Sequence, residues 1–88
     1  FLKLVFSDRE IALCLKKKVS YETLAGKFCA KEAVIKALGE NINIRDIEIL
    51  NNIRGEPEVY IYGQKRLDIQ CSISHTKDTA VAVVIVTS

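Results

Sequence analysis

Apolar positions in this chain change their spacing near residue 39. Before it they recur at three- and four-residue intervals, and beyond it they alternate with polar ones. The segment Ser7-Asp8-Arg9-Glu10 has the S-x-x-E spacing of a capping box, with Ser7 as N-cap and Glu10 at the third helical position. Phe6 and Ile11 occupy the flanking positions of a hydrophobic staple, so a short helix is expected over residues 8–15, ahead of the basic run Lys16-Lys17-Lys18. Ser20 can cap a second helix, Tyr21–Leu38, with Gly39 as its C-terminal stop. Leu24, Phe28, Ile35 and Leu38 fall on one broad face of that helix, and Glu32 is expected inside it.

After Gly39 the period becomes that of strands. Ile47 and Ile49 alternate with Asp46, Glu48 and Leu50, and Asn51-Asn52-Ile53-Arg54-Gly55 supplies a turn. Val59 and Ile61 then alternate with Tyr60 and Tyr62, the second arm of a hairpin. A short polar stretch over residues 63–68 leads to a second hairpin, Ile69–His75 and Ala80–Val86, with a turn near Lys77-Asp78. The last strand is apolar at nearly every position, which predicts a central strand covered on both faces, more cover than the elements of one 88-residue chain can supply. The order is two helices and then four strands. The expected fold is a single α+β domain over residues 1–88, its two N-terminal helices packed on an antiparallel sheet of two hairpins.

Composition narrows the class without choosing a function. Eighty-eight residues, 49% hydrophobic and 27% charged, suit one small globular domain. The net charge of +2 is mildly basic, fit for an acidic or phosphate-bearing ligand but short of a nucleic-acid footprint. No apolar run is long enough to span a bilayer, and nothing resembles a signal peptide. Cys14, Cys29 and Cys71 lie far apart and form no C-x-x-C pair, so reduced thiols in a cytoplasmic protein are expected. The chain begins at Phe1 rather than Met, and a natural N-terminus upstream is expected.

Candidate chemistry centres on Glu32. Lys36 lies one turn on, so the two form either an i,i+4 ion pair or a carboxylate and a cation facing a ligand. In the second case Glu32 suits a hard cation such as Mg²⁺ and Lys36 a phosphate. His75, the only histidine, stands in Ser72-Ile73-Ser74-His75-Thr76, on the strand face of Cys71 and Ile73. A lone histidine at a strand end is commonly structural. The Lys16-Lys17-Lys18 run is either a solvated surface or a phosphate or acidic-partner site, which Lys27 would extend.

Taken together, these segments resemble the holo-[acyl-carrier-protein] synthases, the small bacterial 4′-phosphopantetheinyl transferases. The resemblance rests on Gly26-Lys27-Phe28-Cys29-Ala30-Lys31-Glu32-Ala33-Val34-Ile35-Lys36-Ala37, on Asp46-Ile47-Glu48-Ile49, on Gly55-Glu56-Pro57-Glu58-Val59, and on Ser72-Ile73-Ser74-His75-Thr76. Phe6-Ser7-Asp8-Arg9-Glu10 also matches the family's F-[ST]-x-x-E helix opening. The resemblance implies transfer of phosphopantetheine from coenzyme A to a serine of apo-acyl carrier protein, in fatty acid biosynthesis, releasing adenosine 3′,5′-bisphosphate. It implies Glu32 as a catalytic Mg²⁺ ligand and Lys36 beside the leaving phosphate. It implies Lys18, Lys27, Phe28, Gly39, Ser74, His75 and Thr76 as the coenzyme A site, with Lys27 in place of the family's usual arginine. It also implies a homotrimer with active sites at subunit boundaries; neither nucleic acid nor membrane is expected as a partner.

Against the family pattern, the G-x-D strand whose aspartate is the second Mg²⁺ ligand, and the basic helix after it, are expected before Phe1. A further helix is usual near residue 63, where only Gln64-Lys65-Arg66-Leu67-Asp68 separates Gly63 from the next strand. A non-catalytic carrier-binding module would share most of these residues. A small nucleic-acid-binding domain is disfavoured by the near-balanced charge and scattered aromatics.

Overall fold

The computed structural model describes residues 2–87. The chain forms α1 (Leu2–Val5), α2 (Asp8–Lys17), α3 (Tyr21–Leu38), a 3₁₀ turn (Ile44–Asp46), and strands β1 (Ile47–Asn51), β2 (Pro57–Ile61), β3 (Gln64–Lys65), β4 (Ile69–His75) and β5 (Ala80–Val86). Local chemistry sets the helix ends. The Ser7 hydroxyl accepts from the Glu10 N–H while the Glu10 carboxylate accepts from the Ser7 N–H, so the capping box forms in full. Helix α2 runs past the expected residue 15 to Lys17, placing Lys16 and Lys17 in its last turn, where the helix dipole favours cations. Lys18 closes it in the left-handed region. Ser20 caps α3 and Gly39 ends it with φ 67°, its N–H donating to the Ile35 carbonyl.

The strands form two sheets rather than one. β1, β2 and β3 make an antiparallel sheet, with Ile49 opposite Val59 and Tyr60 opposite Lys65. β4 and β5 make a separate antiparallel hairpin, with Ile73 opposite Ala82. The two-residue β3 occupies the stretch expected to be only a polar connection. Ala30 and Val34 of α3 meet Ile47 and Ile49 of β1, Val59 and Ile61 of β2, and Ile69 of β4 in one core.

One expectation is corrected within the single chain. β5 is not covered on both faces. Ala82, Val84 and Val86 pack on the core, while Val81, Val83 and Ile85 are 55–57% exposed. Among the described residues α3 and β4 are the main elements against the strand, and neither lies over its second face.

Candidate active site

Helix α3 divides the chemistry. On its inner side Lys27 and Lys31, one turn apart, turn into the protein. Lys27 donates to the Ile49 carbonyl at 2.8 Å and to the Asn51 side-chain oxygen at 2.9 Å. Lys31 donates to the Val5 carbonyl at 2.7 Å and to Glu10 Oε1, and its ammonium lies 4.7 Å from the centroid of the Phe6 ring. Burial pushes both lysines below their ordinary range, and for Lys31 the Glu10 hydrogen bond partly offsets it. Lys27 therefore does not extend an exposed basic patch from Lys18, as the sequence led us to expect.

The outer side holds the candidate site. Glu32 and Lys36 are exposed, and neither has an ion-pair partner among the described residues, each other included. This corrects the expected burial of Glu32 in an apolar stripe. The buried carboxylate of the fold is Glu10. It also removes the ion-pair alternative for Glu32 and Lys36. By the 3.6-residue period, Tyr21, Ala25, Phe28, Glu32 and Lys36 follow one another along the same side of α3, roughly 22 Å from end to end.

At the N-terminal end of that track stands the β4–β5 turn. Tyr21, Glu22 and Ala25 share a hollow of about 150 Å³ with the segment 76–80. An adjoining apolar cavity of about 310 Å³ is lined by Leu2, Phe6, Tyr21, Leu24, Ala25 and Phe28. The Thr76 hydroxyl accepts from the N–H groups of Asp78 and Thr79 at 3.3 and 3.1 Å, so it builds the turn. Ser74 and His75 are exposed at the end of β4. His75 stands close to α3 at Gly26, where a Cβ would lie 3.9 Å from its Cδ2. Lys18, exposed, precedes the Ser20 cap at the same end of α3. Gly39 serves as the cap at the far end. The structure thus brings Phe28, Glu32, Lys36, His75 and Thr76 to one helix and the turn beside it, and turns Lys27 away.

Sequence reasoning missed Glu10, Lys27 and Lys31 as buried polar groups. The only local hint was that Glu10 belongs to the capping box. Among the described residues no group of three or more His, Cys, Asp or Glu side chains could hold a metal ion. Cys14, Cys29 and Cys71 are free thiols, and burial raises Cys14 and Cys71 above the ordinary range. No described helix is long and apolar enough to cross a membrane.

Comparison with known proteins agrees with this architecture. The chain matches the 4′-phosphopantetheinyl transferase superfamily over residues 1–84. It is 40% identical to a holo-[acyl-carrier-protein] synthase of Clostridium tetani, over 98% of this chain and 77% of that protein. The crystal structure of the Helicobacter pylori holo-[acyl-carrier-protein] synthase in complex with coenzyme A superposes with a TM-score of 0.77 at 32% identity, over 99% of this chain and 81% of that one. The Neisseria meningitidis enzyme superposes with a TM-score of 0.84 at 26% identity, over 100% and 80% of the two chains. The chain belongs to the 4′-phosphopantetheinyl transferase superfamily and, within it, to the holo-[acyl-carrier-protein] synthases, a family of enzymes.

Proposed function

We propose that this chain transfers 4′-phosphopantetheine from coenzyme A to a serine of apo-acyl carrier protein, releasing adenosine 3′,5′-bisphosphate. The observation that carries this reading is the pair Glu32 and Lys36, a carboxylate and an ammonium exposed on one helix face with no ion-pair partner among the described residues. The track from the Thr76 turn to Lys36 has the reach that an elongated nucleotide–pantetheine molecule needs, and a related enzyme has been crystallised with coenzyme A.

In the reaction the serine oxygen bonds to the phosphorus that carries pantetheine. The P–O bond to the adenosine half breaks, so adenosine 3′,5′-bisphosphate leaves, and the serine proton passes to Glu32, directly or through a water. Lys36 places positive charge beside the phosphate that departs. The β4–β5 turn with His75 and Thr76 stands at the other end of the track, where it would hold the nucleotide half.

Mg²⁺ fits these residues in one way only. With no cluster of ligating side chains among the described residues, a metal caged by this chain is not supported. A single exposed carboxylate is what Mg²⁺ takes when substrate phosphates and water fill its other positions, and Glu32 is that carboxylate. When bound, the ion would neutralise charge on the phosphoryl oxygens.

Two further parts of the reading concern context. The uncovered β5 face, Val81, Val83 and Ile85, suits association into a homotrimer, with Lys18 reaching a neighbour's site. The product, holo-acyl carrier protein, would serve fatty acid biosynthesis in the cytoplasm.

The test follows the mass of apo-acyl carrier protein incubated with coenzyme A, with and without a chelator. A phosphopantetheine mass increase that the chelator abolishes is expected. No increase would favour a carrier-binding module without catalysis, and an increase indifferent to chelator would remove the metal.

A further inference from the structure

Glu32 owes its direction to the rotation of α3 about its own axis, since each residue step turns a side chain by about 100°. Apolar contacts limit that rotation, with Gly26 tight against Ile73, and polar ties add direction to it. The most buried apolar residues of α3, Ala30 and Val34, are small, and apolar packing is non-directional. Beside a weaker contact of Cys29 Sγ with the Ala80 carbonyl at 3.7 Å, the two inward lysines give α3 direction, and both bear on Ile49 of β1, one directly and one through Glu10. Lys27 holds the Ile49 carbonyl directly. Lys31, immediately before Glu32, holds Glu10, whose other oxygen accepts the Ile49 N–H at 2.9 Å.

The Lys31–Glu10 pair is unusually complete. The two side chains are 0% and 1% exposed. Lys31 has three partners for its three N–H bonds: Val5, Glu10 and the Phe6 ring. Glu10 accepts from Ser7, Ile49 and Lys31. Among the described residues no buried side-chain polar atom is left without a partner. Burying an ion pair is a poor way to gain stability, because an apolar pair of similar volume generally does as well. What it adds here is geometry. It couples three separate pieces, the end of α1, the first turn of α2 and the middle of β1, to the residue next to Glu32.

We propose that Lys31 and Glu10 are positioning residues for phosphoryl transfer, setting the rotation of α3 so that Glu32 and Lys36 face the ligand track. This rests on the transferase reading above. Neither residue touches substrate.

The test compares full-length wild-type enzyme with the double variant Glu10→Gln/Lys31→Met, which removes both buried charges together and leaves neither stranded. Thermal unfolding and steady-state kinetics for coenzyme A are measured on each. The expected result is a cooperative transition close to wild type, a KM within about threefold, and a kcat lowered roughly 10- to 100-fold, the scale of a small misplacement of reacting groups. Rebuilding the pair as Glu10→Asp/Lys31→Arg should return most of that kcat. A folded double variant with wild-type kcat overturns the proposal, as does a loss that only tracks the folded fraction. If the double variant fails to fold, Glu10→Asp alone decides, since it keeps the charge and withdraws it by one methylene. A lowered kcat at constant KM supports positioning, and an unchanged kcat refutes it. Should wild-type enzyme itself transfer no phosphopantetheine, the transferase reading fails first, which is a separate and recognisable result.

Discussion

Gly26 of α3 and Ile73 of β4 are so close that a Cβ on Gly26 would lie 2.6 Å from Cγ2 of Ile73. That methyl sits on a β-branched carbon with a stiff χ1, so it cannot swing clear, and the strand itself would have to move. Gly26→Ala should gain about 1 kcal/mol of helix propensity and lose about 1–3 kcal/mol to overpacking, a net destabilisation. Because His75 follows two residues on, coenzyme A binding should weaken as well. Adding Ile73→Leu, which lacks the branch at Cβ, should restore both. Urea unfolding and a KM for coenzyme A check the pair, and a Gly26→Ala protein as stable as wild type would refute the close-packing account.

Glu32→Gln should unfold within about 0.5 kcal/mol of wild type, because the residue is exposed and without a described partner. Its turnover should fall by about 10²–10³, the scale of one lost electrostatic contact in a transition state. Lys36→Ala should behave similarly. Retained turnover in either variant, measured by carrier-protein mass, removes that residue from the chemistry.

Alkaline pH should stabilise the fold through Lys27. Its native-state pKa lies below the ordinary lysine value because burial penalises the ammonium. Between the lowered and the ordinary value the unfolded chain binds more protons than the folded one, so unfolding free energy rises with pH in that window. The difference in stability between wild type and Lys27→Met should therefore shift in favour of wild type as pH is raised toward the ordinary lysine range. A difference that stays flat with pH would contradict this sign.

Val83→Lys should leave the chain folded and separate its copies. Val83 is 57% exposed on the outer face of β5, so a lysine costs the single chain little. Light scattering should show a trimer for wild type and smaller species for the variant. A wild-type monomer that turns over coenzyme A would end the trimer reading.

Helix and strand boundaries were legible because their signals are local. Ser7 with Glu10, Ser20 and Gly39 each carry their own reason within three or four residues. The hairpins were equally plain, down to the alternation around Ile49 and Val59. What could not be read was which side of α3 faces inward. That helix mixes Ala, Cys, Lys and Glu around its circumference, so spacing alone allowed Glu32 to be placed in the apolar stripe and Lys27 outside it. Burial of Lys27 and Lys31 depends on partners 22 and 21 residues away in sequence, Ile49 and Glu10. No local pattern encodes such a partner. For β5 the need for two covers was legible, and so was the shortage of elements in one small chain to supply them, but not which face would stay open, since an all-apolar strand reads alike on both.

The capture of Ile49 by Lys27 and Glu10 also bears on solubility. The N–H and C=O of Ile49 are engaged by side chains, and an open strand edge is where foreign strands join a sheet and begin aggregation. At the middle of β1 that edge offers an incoming strand neither donor nor acceptor. The bolt is made of charge, so a mutation that loosens it would unlatch a template for misassembly as well as disturb a helix.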